Sequence, residues 1–139
     1  MKTTISIPVF ILVFLATSSP CFALWEIAPV TKERAKEMGM EVRSIAAGPN
    51  DVRVELEFKI DGVLKDFSRV DLRMSDGDKT LVSAALKEDR SKPGRVVVSF
   101  AADLTRLDKL NLWVMVPGGR GGIVHDVRVK DFVELEKGR

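Results

Sequence analysis

The fold is decided by one stretch of nine residues, Val52-Arg53-Val54-Glu55-Leu56-Glu57-Phe58-Lys59-Ile60. Apolar and charged side chains alternate strictly along it. Successive side chains of a β-strand point to opposite faces, so this period of two predicts a strand with one buried and one solvated face. A helix would spread the same apolar side chains around its circumference. The stretch therefore needs further strands to cover its apolar face.

The rest of the chain supplies those strands, separated by turn signals rich in Gly, Pro, Asn and Asp. The pattern predicts an all-β fold, a two-sheet antiparallel sandwich of about seven strands. The last run is so long that we expect a break near Lys130-Asp131. Besides the central stretch, the predicted strands are Met40 to Ala46, Phe67 to Met74, Lys79 to Leu86, Arg95 to Ala101, Leu110 to Val116 and Ile123 to Leu135.

One short helix is predicted before the strands. Thr31 is a suitable N-cap for Lys32 to Met38, which are mostly strong helix formers. The preceding lead is amphipathic, and Trp25 and Ile27 are its candidates for docking on the domain. We therefore divide the chain into a leader (1–23), a lead with a short helix (24–39), a β-sandwich domain (40–135) and a tail (136–139).

The leader has the features of a signal peptide. Lys2 gives a positive start, Ile7 to Ala16 is almost wholly apolar, and small residues precede a cut after Ala23. We predict cleavage between Ala23 and Leu24 and an exported protein of the periplasm or the extracellular space. The apolar run is shorter than the roughly 20 residues of a spanning helix, so no stable membrane span is expected after processing. An uncleaved anchor and a lipoprotein processed at Cys21 stay open as alternatives.

Composition limits the classes of partner that the processed chain could bind. Removal of 23 of the 139 residues would leave 116, enough for one domain with its own core. Lys2 is the leader's only charge, so 21 of the 22 basic residues and all 20 acidic ones remain. Their signs are mixed along the chain, which argues against a nucleic-acid partner. The only cysteine, Cys21, lies in the leader, so the core must form without a disulfide.

The segment from Leu104 to Val114 carries a resemblance. A leucine is followed by Asp108 and then by alternating inward residues, which is similar to the way immunoglobulin-like domains enter their F strand. The cysteine pair and the tyrosine of antibody domains are absent, so the resemblance is one of fold. It implies an immunoglobulin-like sandwich over Met40 to Leu135 and no particular ligand. The corresponding strands would be Val52 to Gly62 as B, Val70 to Gly77 as C and Val96 to Phe100 as E.

Few residues could carry out catalysis. His125 is the only histidine, and with no cysteine after processing a Cys/His pair and a zinc site are disfavoured. We predict that His125 is partly buried or at a sheet edge, bonded to backbone. Asp76 and Asp78 flank Gly77 and are weak candidates for calcium, which takes about six to eight oxygen ligands. We expect no cofactor, and keep a small exported hydrolase or calcium-dependent domain using Asp and Glu side chains as the alternative function.

The candidate binding residues lie at and before the loop predicted over Pro117 to Gly122. Four glycines in this loop favour a mobile tip, and Arg120 is its only charge. Gly119, Arg120 and Gly121 are therefore candidates, with a tip of no function as the alternative. Trp113 is a further candidate, unless the N-terminal segment or a side helix covers it. The function predicted is that of an exported, non-catalytic binding module whose partner is an unknown protein or cell-envelope component.

Overall fold

The computed structural model describes residues 25–133. The predicted leader, its cleavage site between Ala23 and Leu24, and the predicted tail lie outside the described residues. The described part is all-β, with strands in two sheets, two short α-helices and two 3-10 helices, Gly62–Leu64 and Leu104–Lys109. The strands are β1 (Trp25–Pro29), β2 (Met40–Ala46), β3 (Asp51–Lys59), β4 (Arg69–Asp76), β5 (Lys79–Ala85), β6 (Arg95–Asp103), β7 (Leu110–Gly118) and β8 (Gly121–Arg128), and the helices are α1 (Lys32–Glu37) and α2 (Val129–Phe132).

The two sheets have the strand orders β1-β8-β7-β4-β5 and β2-β3-β6. All seven predicted strands are present, but the described chain has eight, because the N-terminal lead forms β1. The expectation of a purely antiparallel sandwich is wrong at this strand, since β1 pairs parallel with β8. Strand β1 can run parallel to β8 because nearly the whole described chain lies between them, and α1 carries the chain from β1 to the other sheet. Helix α1 begins as predicted, with the Thr31 side chain accepting a hydrogen bond from the Arg34 N–H.

The core lies between the sheets and confirms the alternation of the central stretch. Val54, Leu56 and Phe58 of β3 are fully buried. They belong to one cluster with buried residues of the other sheet such as Val70 and Leu112. The Phe58 ring meets a second ring, that of Phe67, edge to face at 4.9 Å.

The last predicted strand ends earlier than expected. Strand β8 stops at Arg128, and α2 follows, with the Val133 N–H donating to the Val129 carbonyl at 3.1 Å. The predicted break near Lys130-Asp131 is thus present as a helical turn. Val129 and Val133 are four residues apart, which would put both side chains on the same face of a strand. The same separation also puts two side chains on one face of a helix.

The predicted glycine-rich loop over Pro117 to Gly122 is shorter in the structure, so the predicted extent of the loop is wrong. Strand β7 continues to Gly118 and pairs it with Gly121 of β8, which leaves only Gly119 and Arg120 in the turn. Gly119 has a φ of 60°, and no residue other than glycine has a positive φ in the described part. A two-residue hairpin with a positive φ at its first central residue matches a type II′ turn, which suits the twist of the strands.

Candidate functional site

The strongest candidate surface is the outer face of the five-stranded sheet, the face turned away from the three-stranded sheet. Its residues follow from the register. Ile27 of β1, Val124 of β8 and Met115 of β7 are directly paired and so point the same way. Trp113, two residues before Met115, and Trp25, two residues before Ile27, lie on the same face. We call these five residues the apolar stripe.

The burial of the apolar stripe differs from that of the core. Val124 is only 2% exposed, yet it is not part of the core cluster between the sheets. The partners on either side, Ile27 and Met115, flank it on the outer face. Ile27 itself is 52% exposed and Trp25 is 38% exposed. A large aromatic and a large aliphatic side chain therefore lie open to solvent beside an apolar residue that is already covered.

Trp25 is held in place by a glycine. It pairs with Gly122, and a Cβ built on Gly122 would lie 2.7 Å from the Trp25 Cζ3 atom and 2.8 Å from the Pro117 Cα. It would also collide with the Val116 carbonyl oxygen. Gly122 thus lets the indole lie against the backbone of β8, which fixes the N-terminal strand to the sheet.

Trp113 is covered, but by neither of the elements considered from the sequence. The Arg73 guanidinium of the adjacent strand β4 lies over its ring, 3.6 Å from the centroid. Such a cation–π contact is favourable and also leaves the guanidinium edge free to donate. Arg73 further donates to the Thr80 hydroxyl. Trp113 is therefore not an open aromatic platform for a sugar, and it is one layer of an Arg–Trp stack at the end of the apolar stripe.

Polar groups border this stack. Asp71 pairs with Trp113 across β4 and β7, and its Oδ2 lies 3.2 Å from the Arg69 Nε. Asp71 is buried, and its other oxygen, Oδ1, accepts no hydrogen bond from the described residues. On the far side of Trp113, the Asn111 side chain donates to Asp126 at 2.7 Å. A buried acceptor without a donor is uncommon in folded proteins, and this oxygen has no exposed surface that a partner on the outer face could contact.

The hairpin tip lies at the Trp25 end of the apolar stripe, because Gly121 directly precedes Gly122, the partner of Trp25. Arg120 and Gly119 are exposed at the turn, and Gly121 closes it opposite Gly118. Gly118 lies five residues beyond Trp113, so the tip is about 17 Å from the Arg–Trp stack at about 3.4 Å per residue. The structure therefore puts the two sets of predicted binding residues on one hairpin without joining them in one site.

A charged cluster on the outer face of the three-stranded sheet is the second candidate. Glu57 is buried there and accepts hydrogen bonds from Lys92 at 2.7 Å and from Arg95 at 2.8 Å, with Arg43 at 3.5 Å. The Lys92 hydrogen bond, against the opposing effect of burial and with help from Arg95, lowers the pKa of Glu57. Glu57 is thus an ionised, fully paired group. It is unsuited to donate a proton as a general acid at neutral pH.

Beside this cluster runs an open groove of about 510 Å³. Two of its arginines are already paired with carboxylates that line it. The Arg90–Glu88 ion pair measures 3.0 Å, and Arg53 lies 3.8 Å from Glu55 and donates to Ser99. Such self-paired surface charges give little free energy to a ligand. The groove therefore ranks below the apolar stripe.

The candidates for chemistry do not form a site. Asp76 is the last residue of β4 and Asp78 lies in the turn to β5, and both are exposed to solvent. Among residues 25–133, no three His, Cys, Asp or Glu side chains lie where they could hold a metal ion. His125 is buried at 5% exposure, and its Nε2 has no hydrogen-bond partner in the described part. Its side chain faces inward with Val114, its partner on β7.

Comparisons with protein-family models, curated proteins and solved structures gave no match for this chain. None of the helices in the described part is long and apolar enough to cross a membrane.

Sequence reasoning found Trp113 and missed most of its surroundings. Leu110 to Val116 carries apolar side chains on both faces of the strand. This pattern indicated that the face turned away from the core is also covered by other residues. Val124 joins Met115 through the β7–β8 hairpin, and Ile27 joins them only because β1 pairs with β8. A parallel pairing between residues about one hundred positions apart leaves no local pattern.

Proposed function

We propose that this protein is an exported, non-catalytic binding module with an immunoglobulin-like sandwich, and that it binds a protein of the cell envelope through the apolar stripe. The observation that carries the proposal is the exposure of Trp25 and Ile27 on the same sheet face as the Arg73–Trp113 stack. Tryptophan, methionine and arginine are enriched where protein interfaces are strongest, because they bury large areas and still offer hydrogen bonds.

The strand order supports the immunoglobulin-like part of the proposal. With β3, β4 and β6 taken as strands B, C and E, the sheet β2-β3-β6 corresponds to A-B-E. Strands β8, β7 and β4 then correspond to G, F and C of the facing sheet, and β5 follows C as a C′ strand does in variable-type domains. The parallel strand β1 at the edge of G is an addition of this chain at its N-terminal side.

The polar border of the apolar stripe supports a protein partner over a purely apolar ligand. Two guanidinium groups border the stripe: that of Arg69, which pairs with Asp71, and that of Arg73, which lies over Trp113. A patch with an apolar centre and a charged rim is the usual anatomy of a protein interface. Export supports a partner in the envelope, and rests on the leader that precedes Trp25.

The test compares two isoleucines of nearly equal exposure. Ile27 lies in the apolar stripe at 52% exposure, and Ile45 lies on the other sheet at 51%. We expect Ile27→Glu to weaken capture of a partner from a cell-envelope fraction by about tenfold or more, since it puts a charge at the centre of the interface. Ile45→Glu should capture as the unmodified protein does.

Thermal melts of both variants serve as the fold control, because a charge at a half-exposed position should change stability little. Loss of capture in Ile45→Glu with full capture in Ile27→Glu would place the binding surface on the three-stranded sheet. Full capture by both would remove the apolar stripe as the binding surface.

A further inference from the structure

Three positive side chains meet at one end of the outer face of the three-stranded sheet. Lys59 is the last residue of β3 and lies directly opposite Arg95, the first residue of β6. Like charges that face each other in a ladder are destabilising. Lys92 joins them from the loop before β6, since its ammonium and the Arg95 guanidinium both contact Glu57. We call Lys59, Lys92 and Arg95 the basic corner.

A tight turn keeps two of these cations side by side. The turn is Lys92-Pro93-Gly94-Arg95, in which the Arg95 N–H donates to the Lys92 carbonyl at 3.2 Å and Gly94 has a φ of 71°. Proline at the second position and a glycine of positive φ at the third match a type II turn, whose first and fourth Cα atoms lie within about 7 Å. Backbone geometry therefore holds Lys92 and Arg95 together despite their like charges.

One buried carboxylate fixes both side chains. The Glu57 Oε1 atom accepts a hydrogen bond from Lys92 at 2.7 Å, and its Oε2 atom accepts one from Arg95 at 2.8 Å. Glu57 is 4% exposed, whereas the side chains of Lys92 and Arg95 are 57% and 39% exposed. A buried ion pair adds little stability compared with apolar residues of similar size. Glu57 instead acts as a support that positions two cations at the surface.

The basic corner carries more positive charge than Glu57 can balance. Its three cations and this one carboxylate leave an excess of two positive charges, and no other carboxylate of the described residues pairs with a member of the corner. Arg43 also approaches Glu57, at 3.5 Å, but it is shared with Glu41 and Glu55. The two cations of the turn each give one N–H to Glu57, although an ammonium has three and a guanidinium five. Most donors of the corner therefore have no acceptor in the described part of the chain.

Lys59 lies at the open side of the corner. It is two residues from Glu57 on β3, so the two side chains share a face. A Cβ built on Gly39 would lie 3.1 Å from the Lys59 Cδ atom, which shows that the exposed lysine leans over Gly39, on the side of β2. Arg95 reaches towards Glu57 from the other side, from β6. The two cations thus diverge, and an anion between them can contact both from solvent.

We propose that the basic corner binds a phosphate monoester, either as a free ester or as the headgroup of an anionic lipid. Such a group carries about 1.5 to 2 negative charges at pH 7 and three strong acceptor oxygens, which matches the excess charge and the number of cations. A carboxylate would balance only half of that charge. The Arg95 guanidinium can also pair with two phosphate oxygens at once. The inference stands apart from the proposed binding of a protein partner, since the apolar stripe lies on the other sheet.

The first test separates a site from general attraction between opposite charges. Titration calorimetry at low ionic strength measures the affinity for glycerol phosphate, which Lys59→Gln should weaken by about fivefold or more. Lys79→Gln is the matched control, because it removes the same charge from an exposed lysine of the other sheet, and it should bind as the unmodified protein does. Both positions are exposed, so the melting temperatures of the variants should change little. Equal weakening by the two substitutions would overturn the proposal, and so would acetate that binds as tightly as glycerol phosphate.

The second test distinguishes the two sources of the phosphate group. The protein is sedimented with vesicles of phosphatidylcholine alone and with vesicles that also contain phosphatidic acid, whose headgroup is a phosphate monoester. Sedimentation with phosphatidic acid that Lys59→Gln reduces and Lys79→Gln does not, without binding of glycerol phosphate, would assign the basic corner to a lipid surface. Binding of glycerol phosphate without sedimentation would assign it to a free ester. Absence of binding to both probes would refute the inference, and capture of a protein partner through Ile27 would be unaffected by that result.

Discussion

At the scale of single residues, Gly122 fixes one side of the candidate binding surface. Its missing Cβ is where the Trp25 indole and the backbone of β7 approach β8. Gly122→Ala forces at least one of them to move, and overpacking of this kind costs about 1–3 kcal/mol of unfolding free energy. We expect a lower melting temperature and a red shift of tryptophan emission as Trp25 becomes more exposed.

Gly118 is the matched control for this substitution, four residues away on the same hairpin. Nothing lies within 4 Å of a Cβ built there, and its φ is not in the positive range. Gly118→Ala should therefore leave the melting temperature unchanged or raise it slightly, because alanine reduces the freedom of the unfolded chain. Equal losses from both variants would mean that hairpin flexibility, and not the Trp25 contact, governs stability here.

Glu57 shows where residue-level reasoning from the sequence fails. The alternation of the central stretch placed its side chain outward, and that direction is correct, but the exposure expected from it is wrong. Glu57 is 4% exposed because Lys92 and Arg95 reach over it from the following loop and strand. Sequence alternation predicts the face of a residue and carries no information on which distant side chains will cover that face.

At the scale of elements, the alternation of buried and exposed side chains along β3 gives the sharpest prediction of stability. Phe58 is fully buried and Lys59, next to it, is exposed. Phe58→Ala should cost about 3–5 kcal/mol because it leaves a cavity beside Phe67. Lys59→Ala should cost less than about 1 kcal/mol. Denaturant titration of both variants measures the difference, and similar losses would contradict the observed orientation of the strand.

The elements that sequence analysis predicted well are those with a local pattern. Strand β2 has the bounds expected from the sequence, and the Thr31 cap is present. Strand β1 was missed as a strand because it is short and gains its hydrogen bonds from β8, at the other end of the chain. The end of β8 was missed because the spacing of Val129 and Val133 fits a strand and a helical turn equally well.

At the scale of the whole molecule, the two sheets meet solvent on very different surfaces. The three-stranded sheet presents Glu57 among cations, and the five-stranded sheet presents the apolar stripe. Sequence analysis could name Trp113 and Arg120 as candidates, but only the strand pairing shows that Trp113 shares a face with Ile27 and that the turn with Arg120 lies at the opposite, Trp25 end of that face. The candidate site is thus a property of non-local strand pairing, which is why its centre could not be derived from the sequence.

Two buried ionisable groups tie the stability of the whole domain to pH. Burial, and next the positive charge of Arg34, lowers the pKa of His125 below its ordinary value of 6.5. The folded protein then binds this proton less readily than the unfolded chain does. The stability that depends on neutral His125 is therefore present in full above about pH 6.5 and is lost as the pH falls from there through the lowered folded value. For Glu57, whose pKa is lowered from 4.5, the same rule puts the loss in the window below pH 4.5.

The two pH ranges can be told apart by substituting His125 in one variant and Glu57 in another. In the unmodified protein we expect the melting temperature to fall between pH 7 and pH 5, before Glu57 begins to bind its proton. His125→Gln should flatten that part of the profile, because no group at this position then changes its charge as the core opens. In Glu57→Gln the melting temperature should still fall between pH 7 and pH 5, but the steeper fall below pH 4.5 should be smaller. This variant should also be less stable at pH 7, because two hydrogen bonds to an ionised group are lost. Melting curves across the pH range measure both effects. If the melting temperature of His125→Gln depends on pH in the same way as that of the unmodified protein, the prediction is wrong. His125 would then bind its proton as easily in the folded domain as in the unfolded chain, and its Nε2, which has no hydrogen-bond partner in the described part, would be accessible to solvent.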